Sequence, residues 1–211
     1  MQFHLTCLIM KENISDDRIM ELRKVELLDI VDEHGVPTGE VIERTKAHES
    51  GVRHRTSHVW ILRKKAGRLQ VLVQKRSEGK DSHPGCYDIS SAGHIPAGED
   101  FISSALRELK EELGVEAEER ELIYCGQRHF AYEQEFYGKL FSDNQVSNVY
   151  ILWRDMEPEE FTLQKEEVSE VRWFDFVECM KAVEKNRIPH CMHLDELEMV
   201  LETVKNAVSE L

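Results

Sequence analysis

The residues best suited to chemistry form an acidic cluster in the middle of the chain. Glu111 and Glu112 follow Glu108 at spacings of three and four within FISSALRELKEEL, a stretch with helical periodicity. Those spacings place the three side chains on one face of a helix, where like charges repel one another. Carboxylate oxygens at this density are suitable ligands for a hard cation, Mg²⁺ or Mn²⁺. A solvated acidic face is the ordinary interpretation of such a helix. The neighbouring residues must therefore decide between a metal site and a solvated face.

The residues around the cluster favour a metal site. Arg107 lies inside the cluster, where a guanidinium can hold a carboxylate with two hydrogen bonds and fix its orientation. The preceding loop, Gly93 to Gly98, begins and ends with glycine, which allows the backbone to approach the helix closely. The arrangement predicts a cation centre, and Mg²⁺ in such a centre typically shares its remaining positions with water and substrate phosphates.

The spacing of the whole segment carries a family resemblance. Residues 93–115 fit G-x5-E-x7-R-E-U-x-E-E-x-G-U, where U is a bulky aliphatic residue. This is the Nudix box, and the chain resembles the Nudix hydrolases over roughly residues 25–176. The resemblance implies an α/β fold, an α/β/α sandwich with a mixed β-sheet, and hydrolysis of a P–O–P bond in a nucleoside diphosphate derivative or another organic diphosphate. It also implies catalytic roles for the box residues Arg107, Glu108, Glu111 and Glu112, and metal ligation by Gly93, Glu99, Glu108, Glu111 and Glu112.

The rest of the chain predicts the elements that position this segment. Residues 1–24 are expected to form an extension with a short helix from Asp16 to Lys24, and residues 25–211 a single domain. Periodicity and turn residues predict two hairpins, later strands, and helices that include the box helix ended by Gly114. The predicted strands are 25–31, 41–44, 57–64, 69–74, a short one within YDISSAG, 121–125, 148–154 and 170–174, and the helices are 101–113, 176–184 and 194–208.

Composition limits the partners. The chain has 27 basic and 41 acidic residues, a formal charge of −14, which argues against nucleic acid polymers and against anionic membranes. Its five cysteines form no C-x-x-C pair, so a reducing compartment, the cytoplasm, is expected. The partner expected instead is a small-molecule diphosphate, and a homodimer is compatible with the resemblance because dimers are common among Nudix proteins.

Outside the box the chain resembles one Nudix branch, the isopentenyl-diphosphate isomerase-like proteins. The resembling stretches include LLDIVDEHGVPTGEVIERTKAHESGVRHRTSHVWIL and SSAGH. His48, His54 and His94 match a histidine-rich metal site of the isomerases, whereas Ala92 replaces their catalytic cysteine. Val146 and Asn148 are placed at the positions of their glutamate pair. Because these residues cannot move the protons of an isomerisation, a hydrolase is predicted, with an isomerase or a non-catalytic binding module as alternatives.

Other candidates surround the box. Arg44, Arg76 and Lys80 are predicted to bind the substrate, because an anionic ligand in an acidic protein requires a local cationic patch. Glu167 and Glu170 lie in a stretch that resembles the family's E-x-x-E-x-R-W-F, which makes either a candidate for the water-activating base. His48, His54 and His58 could instead contact an anionic substrate or cap structure. Phe130, Tyr132 and Phe136 could line the substrate pocket, the core or a dimer contact.

Overall fold

The computed structural model of the protein describes residues 25–209, so the predicted extension and its helix from Asp16 to Lys24 lie outside the described residues. Within residues 25–209, nine strands and four α-helices follow one another. The strands are β1 Leu27–Val31, β2 Pro37–Glu43, β3 His54–Lys65, β4 Arg68–Arg76, β5 Tyr87–Asp88, β6 Ser91–His94, β7 Leu122–Phe136, β8 Lys139–Trp153 and β9 Val168–Asp175. The helices are α1 Arg44–Ser50, α2 Phe101–Leu113, α3 Phe176–Glu184 and α4 Leu194–Ser209.

A mixed sheet forms the centre of the structure. Its strand order is β5-β4-β3-β8-β7, with β6 also paired to β3 and β9 to β4, while β1 and β2 form a separate hairpin. The β3–β8 pair is parallel, and it places Thr56 opposite Ser147 and His58 opposite Val149. The remaining pairs are antiparallel. This central parallel pair brings together residues that are far apart in the sequence.

Helices cover both faces of the sheet. On one face α2 contributes Ala105, Leu109 and Leu113 to an apolar cluster with β3 and β8. On the other face α3 and α4 cover a second apolar cluster built around Trp60 and Phe176. The expected α/β/α sandwich with a mixed β-sheet is therefore confirmed.

The box helix, α2, has well-defined ends. At its start the Asp100 side chain accepts hydrogen bonds from the backbone N–H groups of Ile102 and Ser103. At its end Gly114 has a φ of 68°, and its N–H donates to the carbonyls of Leu109 and Lys110. These are the usual caps of a helix. They fix the register in which the carboxylates of α2 face the rest of the site.

Two features of the fold depart from the sequence prediction. Helix α1 was not predicted, because among its seven residues only Ala47 and His48 are buried and no apolar period marks it. Strands β7 and β8 run further than predicted and meet at a two-residue turn in which Tyr137 and Gly138 both have positive φ. Such a turn matches the twist of a hairpin. Among residues 25–209, no helix has the length and apolar character needed to cross a membrane.

Candidate active site

A cavity of about 700 Å³ opens between α2, β3, the β7–β8 hairpin and the start of α4. Most of the residues predicted from the sequence reach it, although they come from separate elements. The predicted residues that line it are Arg44, Arg76, Lys80, Gly93, Arg107, Glu108, Glu111, Glu112 and Glu167. Glu99 and Glu170 are not among its lining residues. The sequence offers Glu167 and Glu170 equally as candidate bases, but only Glu167 lines the cavity.

Arg107 organises the carboxylates of α2. Its Nη1 donates to Glu108 Oε1 at 2.8 Å and to Glu111 Oε2 at 3.3 Å. Its Nη2 donates to the backbone carbonyl of His94 at 3.3 Å, and its Nε lies 3.7 Å from Glu99 Oε2. One guanidinium thus connects the helix to β6 and lies beside the loop before the helix.

The backbone of β6 lies directly against the carboxylates. A Cβ atom on Gly93 would meet Glu108 at 2.2 Å from its Cδ, so only glycine leaves room for this side chain. Next to it, the backbone N–H of Ala92 donates to Glu112 Oε2 at 3.3 Å. Strand β6 therefore places main-chain groups beside Glu108 and Glu112 together.

Burial makes the anionic form of two carboxylates unfavourable. The pKa of Glu108 is raised to about 7, chiefly by burial, although Arg107 opposes the shift. The pKa of Glu112 is raised to about 8 by burial and by the nearby Glu108 carboxylate. Buried carboxylates whose anionic form is disfavoured in this way are suited to a bound cation. The donor set of α2 and the Gly93 cradle therefore fit a Mg²⁺ or Mn²⁺ ion.

Each of the three basic side chains predicted to bind the substrate already has an acidic partner within the protein. Arg44 pairs with Glu26 at 3.2 Å, and Lys80 pairs with Glu167. Arg76 is more completely engaged. Its Nη1 donates to Asp88 Oδ2 at 3.0 Å, and its Nε and Nη2 donate to the backbone carbonyl of Ser82. Arg44 and Lys80 are held by single carboxylates at the cavity wall, whereas the guanidinium of Arg76 also joins the loop before β5, through Ser82, to β5 itself, through Asp88.

Three histidines meet beside the carboxylate cluster. One ring nitrogen each from His48, His54 and His94 lies within 4.8 Å of the others. Asp143 Oδ1 lies 3.7 Å from His48 Nδ1 and 3.6 Å from His54 Nε2. Within the described part of the chain these three atoms are buried and make no hydrogen bond. Because buried polar atoms are normally satisfied, their convergence indicates a site for a further ligand.

The protonation of this histidine cluster suits a metal ion. Burial and neighbouring positive charge lower the pKa of His48 to about 3, and burial also lowers the pKa values of His54 and His94. The rings are therefore neutral at pH 7, as metal binding requires. His54 Nδ1 donates to the backbone carbonyl of Val52 at 2.9 Å, which leaves the lone pair on Nε2 directed at the cluster.

The residues of β8 that reach the histidines were assigned incorrectly from the sequence. Val146 is buried in the interior, and Asn148 hydrogen-bonds Gln127 and Tyr150, so neither lies at the cluster. The residues of β8 that line the cavity are Phe141, Asp143 and Gln145. Side chains alternate along a strand, and the sequence alone did not fix the register of β8 against β3.

The cavity also contains aromatic residues named in the sequence analysis and one buried carboxylate, Glu196, that the sequence did not single out. Phe130 and Tyr132 line it, and Phe130 lies 4.1 Å from the ring of His193. Phe136 lies beyond the lining, against the ring of His83. At the base, Glu196 of α4 accepts from His58 Nδ1 at 3.0 Å and from Trp60 Nε1 at 2.8 Å. No local motif marks Glu196, because it reaches the site only through the packing of α4.

Known proteins share both the sequence and the fold. The NUDIX domain model matches residues 52–193. A Nudix hydrolase of Clostridium acetobutylicum is 39% identical over 68% of this chain and 66% of its own length. Nudix hydrolase 3 of Arabidopsis thaliana is 41% identical over 72% of this chain, but this match spans only 20% of the plant protein.

A solved structure agrees in fold. The crystal structure of DR0079 from Deinococcus radiodurans aligns with a TM-score of 0.61 at 19% identity, covering 82% of this chain and 98% of the other. The carboxylate-bearing helix, the glycine cradle and the mixed sheet thus occur in a chain that the NUDIX domain model matches over most of its length. The chain belongs to the Nudix hydrolase family.

Proposed function

We propose that the protein is a divalent-metal-dependent hydrolase that cleaves a P–O–P bond in a nucleoside diphosphate derivative or another organic diphosphate. The observation that carries this proposal is the convergence of Glu108, Glu111 and Glu112 with the Gly93 backbone on one cavity. Mg²⁺ or Mn²⁺, when bound, would neutralise phosphoryl charge and lower the pKa of water. Glu108, Glu111 and Glu112 would hold it, with Glu99 and the Gly93 carbonyl as further candidate ligands.

The remaining residues of the chain have separate tasks in this proposal. Arg107 fixes the orientation of Glu108 and Glu111 through its two Nη1 contacts. Glu167 is the candidate base for the attacking water, since it lines the cavity and is only partly shielded by Lys80. Arg44 and Lys80 are the candidate phosphate contacts, and Arg76 is a weaker candidate because its guanidinium already holds Asp88.

We further propose that His48, His54, His94 and Asp143 hold a second metal ion. Three neutral imidazoles and one carboxylate form a mixed nitrogen and oxygen donor set, which suits Mn²⁺, Zn²⁺ or another first-row transition metal better than Mg²⁺. The unpaired buried atoms of His48, His54 and Asp143 support this assignment. The same cavity reaches both clusters, so the second ion would lie beside the substrate.

The decisive experiment is a hydrolysis screen of the full chain with Mg²⁺ or Mn²⁺. Its substrates are nucleotide sugars, ADP-ribose, dinucleoside polyphosphates, oxidised nucleotides, coenzyme A and prenyl diphosphates. Glu111→Gln and Glu112→Gln are expected to abolish metal-dependent product release. Glu116→Gln is the matched control, since Glu116 is exposed, pairs with Lys110 and lies outside the cavity. Full activity in both cluster variants would refute the proposal.

The alternatives give different results in the same assays. An isomerase would convert isopentenyl diphosphate to its dimethylallyl isomer, and Ala92, which lines the cavity, offers no group to transfer the proton. A binding module would bind one of the screened ligands tightly without turnover. The complete carboxylate set of α2 supports the hydrolase over both alternatives.

A further inference from the structure

A chain of polar side chains connects α4 to the histidine cluster. His58 Nδ1 donates to Glu196 Oε1 at 3.0 Å, and His58 Nε2 lies 3.3 Å from Thr56 Oγ1. The Thr56 hydroxyl donates to Gln145 Oε1 at 3.1 Å. Gln145 Nε2 in turn donates to Asp143 Oδ2. Four consecutive contacts thus lead from a buried carboxylate on α4 to the carboxylate that faces the histidines.

The proton positions in this chain follow from its chemistry. Burial by itself lowers the pKa of His58, but the Glu196 carboxylate outweighs burial and the net pKa is raised. The hydroxyl hydrogen of Thr56 is directed to Gln145 Oε1, so Thr56 Oγ1 can only accept from His58, through its Nε2–H. Ser147 Oγ lies 2.6 Å from Thr56 Oγ1 and, with the threonine hydrogen on Gln145, donates its own hydrogen to Thr56. An amide that accepts through its oxygen from Thr56 must present its NH₂ group to the other side, where Asp143 lies.

We propose that Gln145, with Thr56 behind it, is a positioning residue that turns Asp143 toward the histidine site. Gln145 engages Oδ2, which leaves Oδ1 as the oxygen that faces His48 and His54 at 3.7 Å and 3.6 Å. This inference rests on the proposed second metal site, because it assigns Asp143 the task of a ligand. Outer residues that orient a ligand contribute strongly to metal affinity.

The amide character of Gln145 matters to this role. A glutamate in its place would repel Asp143 across the same contact and would lose the N–H donor. The amide instead supplies a donor without adding charge, so the site contains one carboxylate and three neutral rings. A flipped Gln145 would lose the hydrogen bond that its oxygen accepts from Thr56 and would direct that oxygen at the Asp143 carboxylate, so both contacts favour the observed orientation.

The test is a Co²⁺ titration of the full chain, followed by the visible absorption bands of cobalt. His54→Ala identifies the part of the signal that depends on the histidine cluster. Thr56→Val removes the hydroxyl at nearly constant volume and is expected to weaken this binding by about 10- to 100-fold. Gln145→Met keeps the length of the side chain without its donor and should weaken binding by a similar factor. Thr56→Ser restores the hydroxyl and should bind Co²⁺ within about threefold of wild type.

The outcomes distinguish the second metal site itself from the positioning role of Gln145 and Thr56. If the wild-type protein shows no cobalt signal that His54→Ala removes, the second metal site is refuted. If the wild type binds Co²⁺ and Thr56→Val and Gln145→Met bind it equally well, the positioning role is refuted while the metal site stands. Equal weakening in Thr56→Val and Thr56→Ser would also overturn it, since the hydroxyl would then not be the cause. Circular dichroism and urea midpoints confirm that each variant is folded.

Discussion

The carboxylate of Glu108 occupies the space that a side chain at Gly93 would need. A Cβ atom built on Gly93 would lie 2.2 Å from Glu108 Cδ and 2.4 Å from its Oε1. The contact joins β6 to α2 without any intervening side chain. The position of the carboxylate therefore depends directly on the absence of a methyl group at residue 93.

Gly93→Ala should displace Glu108 and reduce hydrolytic activity by at least tenfold. We expect an overpacking cost of about 1–3 kcal/mol in the free energy of unfolding, because backbone or helix must shift. Gly79→Ala is the matched control, since the nearest atom to its Cβ is Ser77 Oγ at 3.9 Å. Urea unfolding and steady-state assays of both variants test this, and an equally small effect in both would contradict it.

Glu112→Gln should stabilise the metal-free protein at pH 8 but not at pH 4.5. Burial and the Glu108 carboxylate raise the pKa of Glu112 from 4.5 to about 8. The unfolded chain releases this proton at lower pH than the folded protein, so the folded state loses stability as pH rises from about 4.5 to about 8. Glutamine does not titrate, and it removes that loss.

Urea midpoints measured in chelator at several pH values test this linkage. The urea midpoint of Glu112→Gln should exceed that of wild type by an amount that grows steadily from pH 4.5 to about pH 8. Glu116→Gln, at an exposed position, should show no such growth. Added Mg²⁺ should stabilise wild type more at pH 8 than at pH 5, because the ion competes with the proton. A difference that stays constant with pH would contradict the assignment.

Glu167→Gln should lower kcat by about 10²- to 10⁴-fold if Glu167 is the base. Glu167 lines the cavity, whereas the neighbouring candidate Glu170 is exposed and lies outside it. Glu170→Gln should therefore keep wild-type kcat. Metal affinity should change little in either variant, which separates loss of a base from loss of a ligand. The opposite ranking of the two variants would transfer the role to Glu170.

Glu196→Gln should destabilise the protein by about 3–5 kcal/mol, since it removes one partner of a buried ion pair. Glu196 is 1% exposed and is bonded by His58 and Trp60. The adjacent Asp195, whose side chain is 63% exposed, pairs with Arg128. Asp195→Asn should therefore cost under about 1 kcal/mol. Urea unfolding of both variants at pH 6 tests this. Equal losses in the free energy of unfolding would show that the burial of the carboxylate does not determine how much stability its removal costs.

The parts of the site that depend on short-range order were predictable. Glu108, Glu111 and Glu112 share one helix with Arg107, so their spacing alone places them together. The cap residue Gly114 also carries a local signal, because it ends a periodic segment. These features need no knowledge of which strands pair.

Residues that reach the site through long-range packing were not predictable in the same way. Asp143 and Gln145 enter only because β8 lies parallel to β3 in one register, and a shift by one residue would turn both away. Glu196 enters through the docking of α4. Helix α1, which presents His48, lacks an apolar period because it is short and mostly exposed. Such placements are set by the whole fold rather than by the nearby sequence.

The parallel pairing of β3 with β8 also has a kinetic consequence. Thr56 and Ser147 face each other across 91 positions of sequence, so this pairing closes a long loop and is expected to form slowly. His54, His94 and Asp143 meet only after that closure. An ion held there would bind the completed structure and not its precursors. It would therefore slow unfolding rather than hasten folding, and the lifetime of the folded protein would depend on metal supply.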